Sequence, residues 1–361
     1  GDHRALHSFP TRRSSDLLCR VSSINFSHRP DAMWGWGQLL SGGVGEVCNN
    51  GAQADLTEMP MTSANAKRPF AWLRLLKPKG QGANISVLFM VTGLIITGLF
   101  VLIALLAPLL QSWGILQDPT AALQNPVHQP PSAAHWLGTT RQGYDVLSRV
   151  LFGSRAAWQV VLLATAMSVF IGVPIGMVSG YLGGKLDRAL LFFMDTIYTL
   201  PGLLLSVTLA FVVGRGVINA AIALSIAYIP QYYRVVRNHT VSVKTELFIE
   251  AAQAMGASTW VVLSRYLFLN VVQSIPVLFT LNAADAILIL GGLGFLGLGL
   301  PEQTPEWGAD IRQALDALPT GIWWTALFPG MALTLMVTGL SLVGEGLNEL
   351  VNPLLRRENW Q

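Results

Sequence analysis

Residues Ile85–Leu110 read ISVLFMVTGLIITGLFVLIALLAPLL, twenty-six positions without a single charge. About 20 consecutive apolar residues suffice to cross the hydrocarbon core of a bilayer as a helix. Five more windows of this kind follow: Ala157–Leu182, Ala189–Val213, Val217–Val236, Val271–Leu298 and Ala326–Leu350. One such window could belong to the core of a soluble protein, but six in one chain could not. Inside lipid every backbone polar group must be paired within the segment, so these windows predict helices rather than strands. Composition agrees. Hydrophobic residues make up 52% of the 361 residues and charged ones only 12%, about half the ~25% usual in soluble domains. Mean hydropathy is +0.49. Disorder needs the opposite balance, and a net charge of +3 is too small to point to nucleic acid. The expected fold class is all-α: a polytopic membrane protein with six transmembrane helices.

Working outward, residues 1–58 do not match the rest. They hold 11 of the 43 charged residues and both cysteines, Cys19 and Cys48. The run from His7 to Leu17, HSFPTRRSSDL, resembles one reading frame of a sequencing adapter. We read 1–58 as a sequencing or assembly artefact, the alternative being a genuine disordered leader. Met59 or Met61, with Met33 next, is then the expected start. The remaining chain divides into a cytoplasmic N-terminal segment (59–84), the first transmembrane helix (85–110), an outer loop (111–156), a transmembrane core (157–350) with an inner loop at 238–270, and a tail (351–361).

Lys and Arg orient the spans, because cytoplasmic loops carry the excess of positive charge. With the N-terminus inside, the inner segments hold Lys67, Arg68, Arg74, Lys77, Lys79, Lys185, Arg188, Arg234, Arg237, Lys244, Arg265, Arg356 and Arg357. The outer segments hold Arg141, Arg149, Arg155, Arg215 and Arg312. Both termini are therefore expected in the cytoplasm. Trp113, Trp158, Trp323 and Trp324 fall at outer ends and Trp72, Tyr232 and Tyr233 at inner ends, where amphipathic rings anchor helices.

The inner loop carries the sharpest local pattern. Residues 245–256 read TELFIEAAQAMG. Thr245 can cap a helix and Glu246 suits its first turn. Phe248, Ala252 and Met255 stand at i, i+4, i+7 as an apolar stripe, with Glu246, Glu250 and Gln253 as a polar one. Gly256 stands where a helix ends in a left-handed turn. Ser258 is placed to cap a second helix, Thr259 to Phe268. A short two-faced helix in a cytoplasmic loop either docks on another protein or merely closes the loop; its narrow, alanine-containing apolar face suits a protein groove better than lipid.

Glu250-Ala251-Ala252 followed at three residues' distance by Gly256 resembles the loop of ABC-importer permeases. Further motifs carry the same resemblance from about Arg68 to Arg357. They are Gly138-Thr139, Gly143, Asp145 and Leu147-Ser148-Arg149 in the outer loop; Met194-Asp195 and Pro201 in the third span; Phe295-Leu296-Gly297-Leu298-Gly299; Pro305, Trp307-Gly308; and Leu327-Phe328-Pro329-Gly330. The chain is similar to the second, shorter permease subunit of the dipeptide/oligopeptide/nickel family. The resemblance implies a type I ABC importer permease fold, in a bacterial cytoplasmic (inner) membrane. It implies partners: a sister permease, cytosolic ATPase subunits that bind ATP and Mg, an extracytoplasmic substrate-binding protein and the lipid bilayer. It also implies an ATPase-coupling role for Phe248, Glu250, Ala251, Ala252, Met255 and Gly256, with Glu250 fixing the loop backbone and the alanines allowing close approach. The sequence departs from the family pattern at Thr140 and Tyr144, at Leu269 and at Leu290.

No catalytic constellation and no cofactor site is legible. No Gly-x-x-x-x-Gly-Lys-Ser/Thr loop occurs, so ATP hydrolysis is expected on a partner chain. The glycines at 291–299 suit close helix packing. His128 and His135 lie seven apart with no clustered carboxylate or cysteine and make no metal site by themselves. Intramembrane carboxylates are costly and default to functional candidates. Asp195 and Asp285, with Asn282 almost a turn before the latter, are candidates for a translocation path; helix–helix hydrogen bonding is the alternative. An ion-driven secondary transporter would need mid-membrane carboxylate pairs and an inverted repeat, and a membrane enzyme a His/Asp/Ser cluster. Neither pattern is visible. The expectation is a permease subunit of an ATP-driven importer of di- or oligopeptides.

Overall fold

The computed structural model describes residues 81–351. The proposed artefact at 1–58, most of the cytoplasmic segment 59–84, Trp72, seven of the inner basic residues (Lys67, Arg68, Arg74, Lys77, Lys79, Arg356 and Arg357) and the tail beyond Val351 lie outside the described residues. Among the described residues all regular structure is helical, apart from one isolated bridge between Thr139 and Asp145.

Helix α1 spans Gln81–Ser112, α2 Val146–Leu182, α3 Gly184–Tyr198, α4 Gly202–Val213, α5 Val217–Val243 and α6 Leu247–Ala254. Helix α7 runs unbroken over Thr259–Phe295 and includes a π-helical stretch, Val262–Leu267, and a 3₁₀ turn, Val272–Ser274. Helix α8 spans Trp307–Ala314 and α9 Trp324–Val351.

The count of six spans holds only in part. Helices α1, α2, α7 and α9 are long and apolar enough to cross a membrane, and α3 with α4 makes a fifth candidate that is bent by 89°. The window Ala189–Val213 is thus not one rod. Pro201, which lacks a backbone N–H, stands at the break and starts α4. Helix α5 fails on composition because Tyr228, Tyr232, Tyr233, Arg234 and Arg237 dilute its apolar run. Its 27 residues still extend ~40 Å, more than the ~30 Å core. Most of its polar side chains have partners inside the protein, which removes the need for an apolar surface all round. Pro230 sits within α5 without ending it.

Small residues set the packing. Gly172, Gly176 and Gly180 line one face of α2. A Cβ at these positions would lie 2.8 Å from the Tyr232 Cβ, 2.7 Å from the Tyr233 carbonyl and 2.8 Å from the Arg237 carbonyl. Helices α2 and α5 therefore meet backbone to backbone. The expectation for the 291–299 glycines also holds. A Cβ on Gly291 would strike Leu333 of α9, one on Gly294 would overlap Glu306, and Gly308 of α8 rests on the Gly291 carbonyl.

Two apolar cores result. One joins Val160 and Ala164 of α2, Leu224 of α5, Ile287 and Leu293 of α7 and Met336 of α9. The other, towards the inner loop, joins Val173 and Met177 of α2, Val236 of α5, Ile249 of α6 and Val262, Leu267 and Val271 of α7. Tyr232, Tyr233 and Trp324 are buried, so these three are packing residues rather than membrane-surface anchors.

Candidate functional site

The inner loop is shorter than the apolar windows suggest, because α5 continues to Val243 and α7 already begins at Thr259. Thr245 does not cap α6. Its hydroxyl donates to the Ser242 carbonyl at 2.9 Å, closing α5. Glu246 is the N-cap, in extended backbone, and its carbonyl accepts from the Ile249 and Glu250 amides. Gly256, at φ +85°, ends the helix. The Gly256 amide donates to the Gln253 carbonyl and the Ala257 amide to the Ala252 carbonyl, the paired bonds of a Schellman motif. The Ser258 hydroxyl accepts from the Val261 amide and starts α7.

The faces of α6 are not those read from spacing. Ile249 and Ala252 are fully buried against the inner core, and the Gln253 amide group donates to the Tyr181 hydroxyl of α2 at 3.0 Å. Phe248 and Met255 turn away from Ala252 and are 43% and 79% exposed; Leu247 at 80% and Trp260 at 75% join them. Glu250 and Ala251 are also exposed. Among the described residues Glu250 makes no side-chain hydrogen bond. Of the two alanines, Ala252 allows close approach to the bundle itself, and Ala251 faces outward. Helix α6 is thus fastened by one narrow face and presents the other.

A polar cluster fastens the neighbouring helix ends. Arg237 of α5 grips Asp187 of α3 through Nε at 2.9 Å and Nη2 at 2.6 Å, and Ser179 of α2 donates to the same carboxylate at 2.7 Å. Lys244 donates to the Gly180 carbonyl at 2.8 Å.

The three candidate path residues separate. Asp195 pairs with Arg234 at 2.7 Å, and the same guanidinium lies 4.3 Å from the Tyr198 ring centre. Asn282 is buried, its side chain beside the Tyr232 hydroxyl. Asp285 is exposed and accepts from the Tyr228 hydroxyl at 2.9 Å. Asn282 and Asp285 therefore do not share a face: one points into the bundle and the other out of it.

The outer-loop residues Gly138, Thr139, Gly143, Asp145, Ser148 and Arg149 come together. Gly138 and Gly143 adopt positive φ, which glycine takes without a Cβ penalty. The Thr139 hydroxyl donates to the Pro126 carbonyl at 2.6 Å. Asp145 caps α2, accepting from the Ser148 amide at 2.9 Å and hydroxyl at 2.8 Å. Arg149, buried, binds Asp310 of α8 through Nε at 2.7 Å and Nη2 at 2.6 Å, and donates from Nη1 to the Pro119 carbonyl at 3.1 Å. Its guanidinium lies 4.5 Å from the ring centre of Tyr144, one of the positions that depart from the family pattern. Trp324 donates to the Thr139 carbonyl at 3.2 Å. This knot ties the outer loop to α2, α8 and α9. Among the described residues no three His, Cys, Asp or Glu side chains meet as a metal site.

Sequence reading missed Asp310 and Glu306. Glu306 caps α8, accepting from the Gly308 and Ala309 amides at 2.8 Å each. An acidic residue directly ahead of a short helix was the available signal; the link from Arg149 to Asp310 had none. Burial pushes the Glu306 carboxyl up to about 7, against the pull of the two amides. A carboxyl with a raised folded-state pKa adds stability below its unfolded value, and that stability is lost as pH rises through the folded value. The knot is therefore expected to loosen between about pH 4.5 and 7, by about 3 kcal/mol. Thermal unfolding in detergent at pH 5 and pH 8 checks this: Glu306→Gln should flatten the difference.

The family of binding-protein-dependent transport system inner membrane components matches residues 172–357, from the α2 glycine stripe through α9. This chain belongs to that family. The permease is 35% identical over 270 residues to the dipeptide transport system permease protein DppC of Alkalihalophilus pseudofirmus, covering 74% of this chain and 86% of that one. It is 35% identical over 263 residues to the probable D,D-dipeptide transport system permease protein DdpC of Escherichia coli K12, covering 73% and 87%. It is 34% identical over 230 residues to the glutathione transport system permease protein GsiD of Pectobacterium atrosepticum, covering 64% and 76%. The resemblance to ABC-importer permeases is thus correct. The protein is a multi-pass membrane permease component of an ATP-driven importer, not an ion-driven secondary transporter.

Proposed function

We propose that this permease forms half of a path for di- or oligopeptides and is moved by a cytosolic ATPase seated on α6. The observation that carries the reading is the division of α6: Ile249 and Ala252 are fully buried against the bundle, while Leu247, Phe248, Met255 and nearby Trp260 stand exposed. A helix fastened to its own bundle on one face and apolar on the other passes on a push from a docked partner. Glu250 and Ala251 belong to the partner-facing side, and Gly256 shapes the turn that leads into α7. ATP and Mg sit on the ATPase in this reading, and the permease holds neither. A sister permease supplies the other half of the path and an extracytoplasmic binding protein delivers the cargo. The peptide class follows from the dipeptide, D,D-dipeptide and glutathione transport named in the relatives. In this reading α5 is the sixth crossing, and the Lys and Arg distribution puts both termini in the cytoplasm.

Co-purification tests the docking. Glu250→Arg is expected to cut recovery of the ATPase with the permease at least ~10-fold, since a reversed charge at a packed interface costs ~1.4 kcal/mol or more. Membrane insertion and recovery of the sister should stay at wild-type level. Full retention of the ATPase by this variant, together with undiminished transport, would refute the assignment of α6.

A further inference from the structure

We propose that Asp285, oriented by Tyr228, is a cation-binding station in the path and takes the protonated amino group of a peptide. This rests on the reading of the permease as half of a peptide path. Asp285 is the one acidic residue in the apolar run Ile275–Phe295 of α7. It lies on a stripe with Leu281 and Leu288, 38% and 52% exposed, a turn to either side. Helix α9 borders this stripe where Leu281 approaches Gly344, and α4 approaches α7 where Leu203 nears Gly292. A carboxylate turned to hydrocarbon at this depth costs ~2.5–3.5 kcal/mol. The stripe therefore faces water or protein rather than lipid.

The three acidic side chains of α3 and α7 differ in what holds them. Arg237 neutralises Asp187 and Arg234 neutralises Asp195. Asp285 has no Lys, Arg or His within ion-pair distance among the described residues. Its recorded polar partner is the Tyr228 hydroxyl, which donates to Oδ2 at 2.9 Å and leaves Oδ1 open. Tyr228 is 4% exposed, so it steers the carboxylate from within the bundle. One turn further in, the Tyr232 hydroxyl and the Asn282 side chain lie buried beside each other. A primary ammonium, compact and donor-only, fits a carboxylate with one free oxygen and makes a charge-assisted hydrogen bond there.

The test uses the assembled importer, with sister, ATPases and binding protein, in proteoliposomes. The probes are Ala-Ala and N-acetyl-Ala-Ala, each at a concentration that saturates the binding protein. Asp285→Asn should lower Ala-Ala uptake ~10-fold or more, the worth of a hydrogen bond to a charged group, and change uptake of the acetylated peptide less than ~2-fold. Asp285→Glu should restore the preference for the free amine. Tyr228→Phe, which keeps the packing, should raise the Ala-Ala concentration for half-maximal uptake and leave the maximal rate. Equal loss of both peptides, no loss of either, or loss of the sister subunit from Asp285→Asn would overturn the station. A wild-type importer that carries no Ala-Ala would instead overturn the peptide reading, and the station with it.

Discussion

Arg149→Ala is expected to cost the permease ~3–5 kcal/mol, the usual result of removing one partner from a buried ion pair. Arg149 is 1% exposed, its guanidinium is shared between Asp310 and the Pro119 carbonyl, and Asp310 is itself buried. The substitution leaves a carboxylate with no compensating charge in a dry site. It also unfastens the outer loop from α8. Thermal unfolding in detergent and limited proteolysis of 113–145 would both register the change. The deficit should shrink on acidification. Burial already raises the Asp310 carboxyl above its ordinary value, with Arg149 pulling the other way. Without the arginine the folded-state value rises further, so the variant gains stability at low pH and loses it as pH climbs. Arg149→Met combined with Asp310→Leu should recover most of the loss, because buried pairs replaced by apolar groups of similar volume are often neutral. A single variant as stable as wild type would show that the knot does not hold the outer side together.

Ile249→Asp is the second large effect. Ile249 is wholly buried between α6 and the inner core formed with Val236, Val262 and Leu267. Truncating such a side chain alone costs ~2–5 kcal/mol, and a buried charge adds to that. An eight-residue helix has too few contacts to absorb such a loss, so α6 should leave the bundle. Hydrogen exchange at 247–254 should rise to that of an open loop. Uptake should fall at least ~100-fold, matching ~2.7 kcal/mol of lost docking. Leu247→Asp, on the exposed face, should do the reverse: α6 stays docked and the ATPase is lost. If Ile249→Asp transports normally, force does not pass through this face.

Much of the fold was legible because lipid makes demands that sequence must answer. The runs at 85–110 and 157–182 contain no charge at all, and both are helices. Gly256 was readable because a positive φ at a helix end has few other solutions. Helix α5 was harder: its polar residues mean solvent in one setting and internal ion pairs in another, and only packing against α2 and α3 decides. The faces of α6 failed for a related reason. Spacing gives which residues share a side, yet with Leu247, Phe248, Ile249, Ala252 and Met255 spread round a short helix several stripes compete. The docked one was set by where Val236 and Leu267 happened to stand. The outer motif was visible as a set of residues, but Asp310 was not, since its partner Arg149 lies 161 positions away.

Helix α7 begins at Thr259, immediately after the α6 turn, and continues to Phe295 without a break. Its 37 residues form a lever ~55 Å long, so a tilt of ~10° about the inner end would swing the far tip by ~10 Å. Where Gly308 rests directly on the Gly291 carbonyl there is no slack, and α8 would ride on that tip. On the proposed coupling, a small stroke at α6 would be enlarged at the opposite mouth.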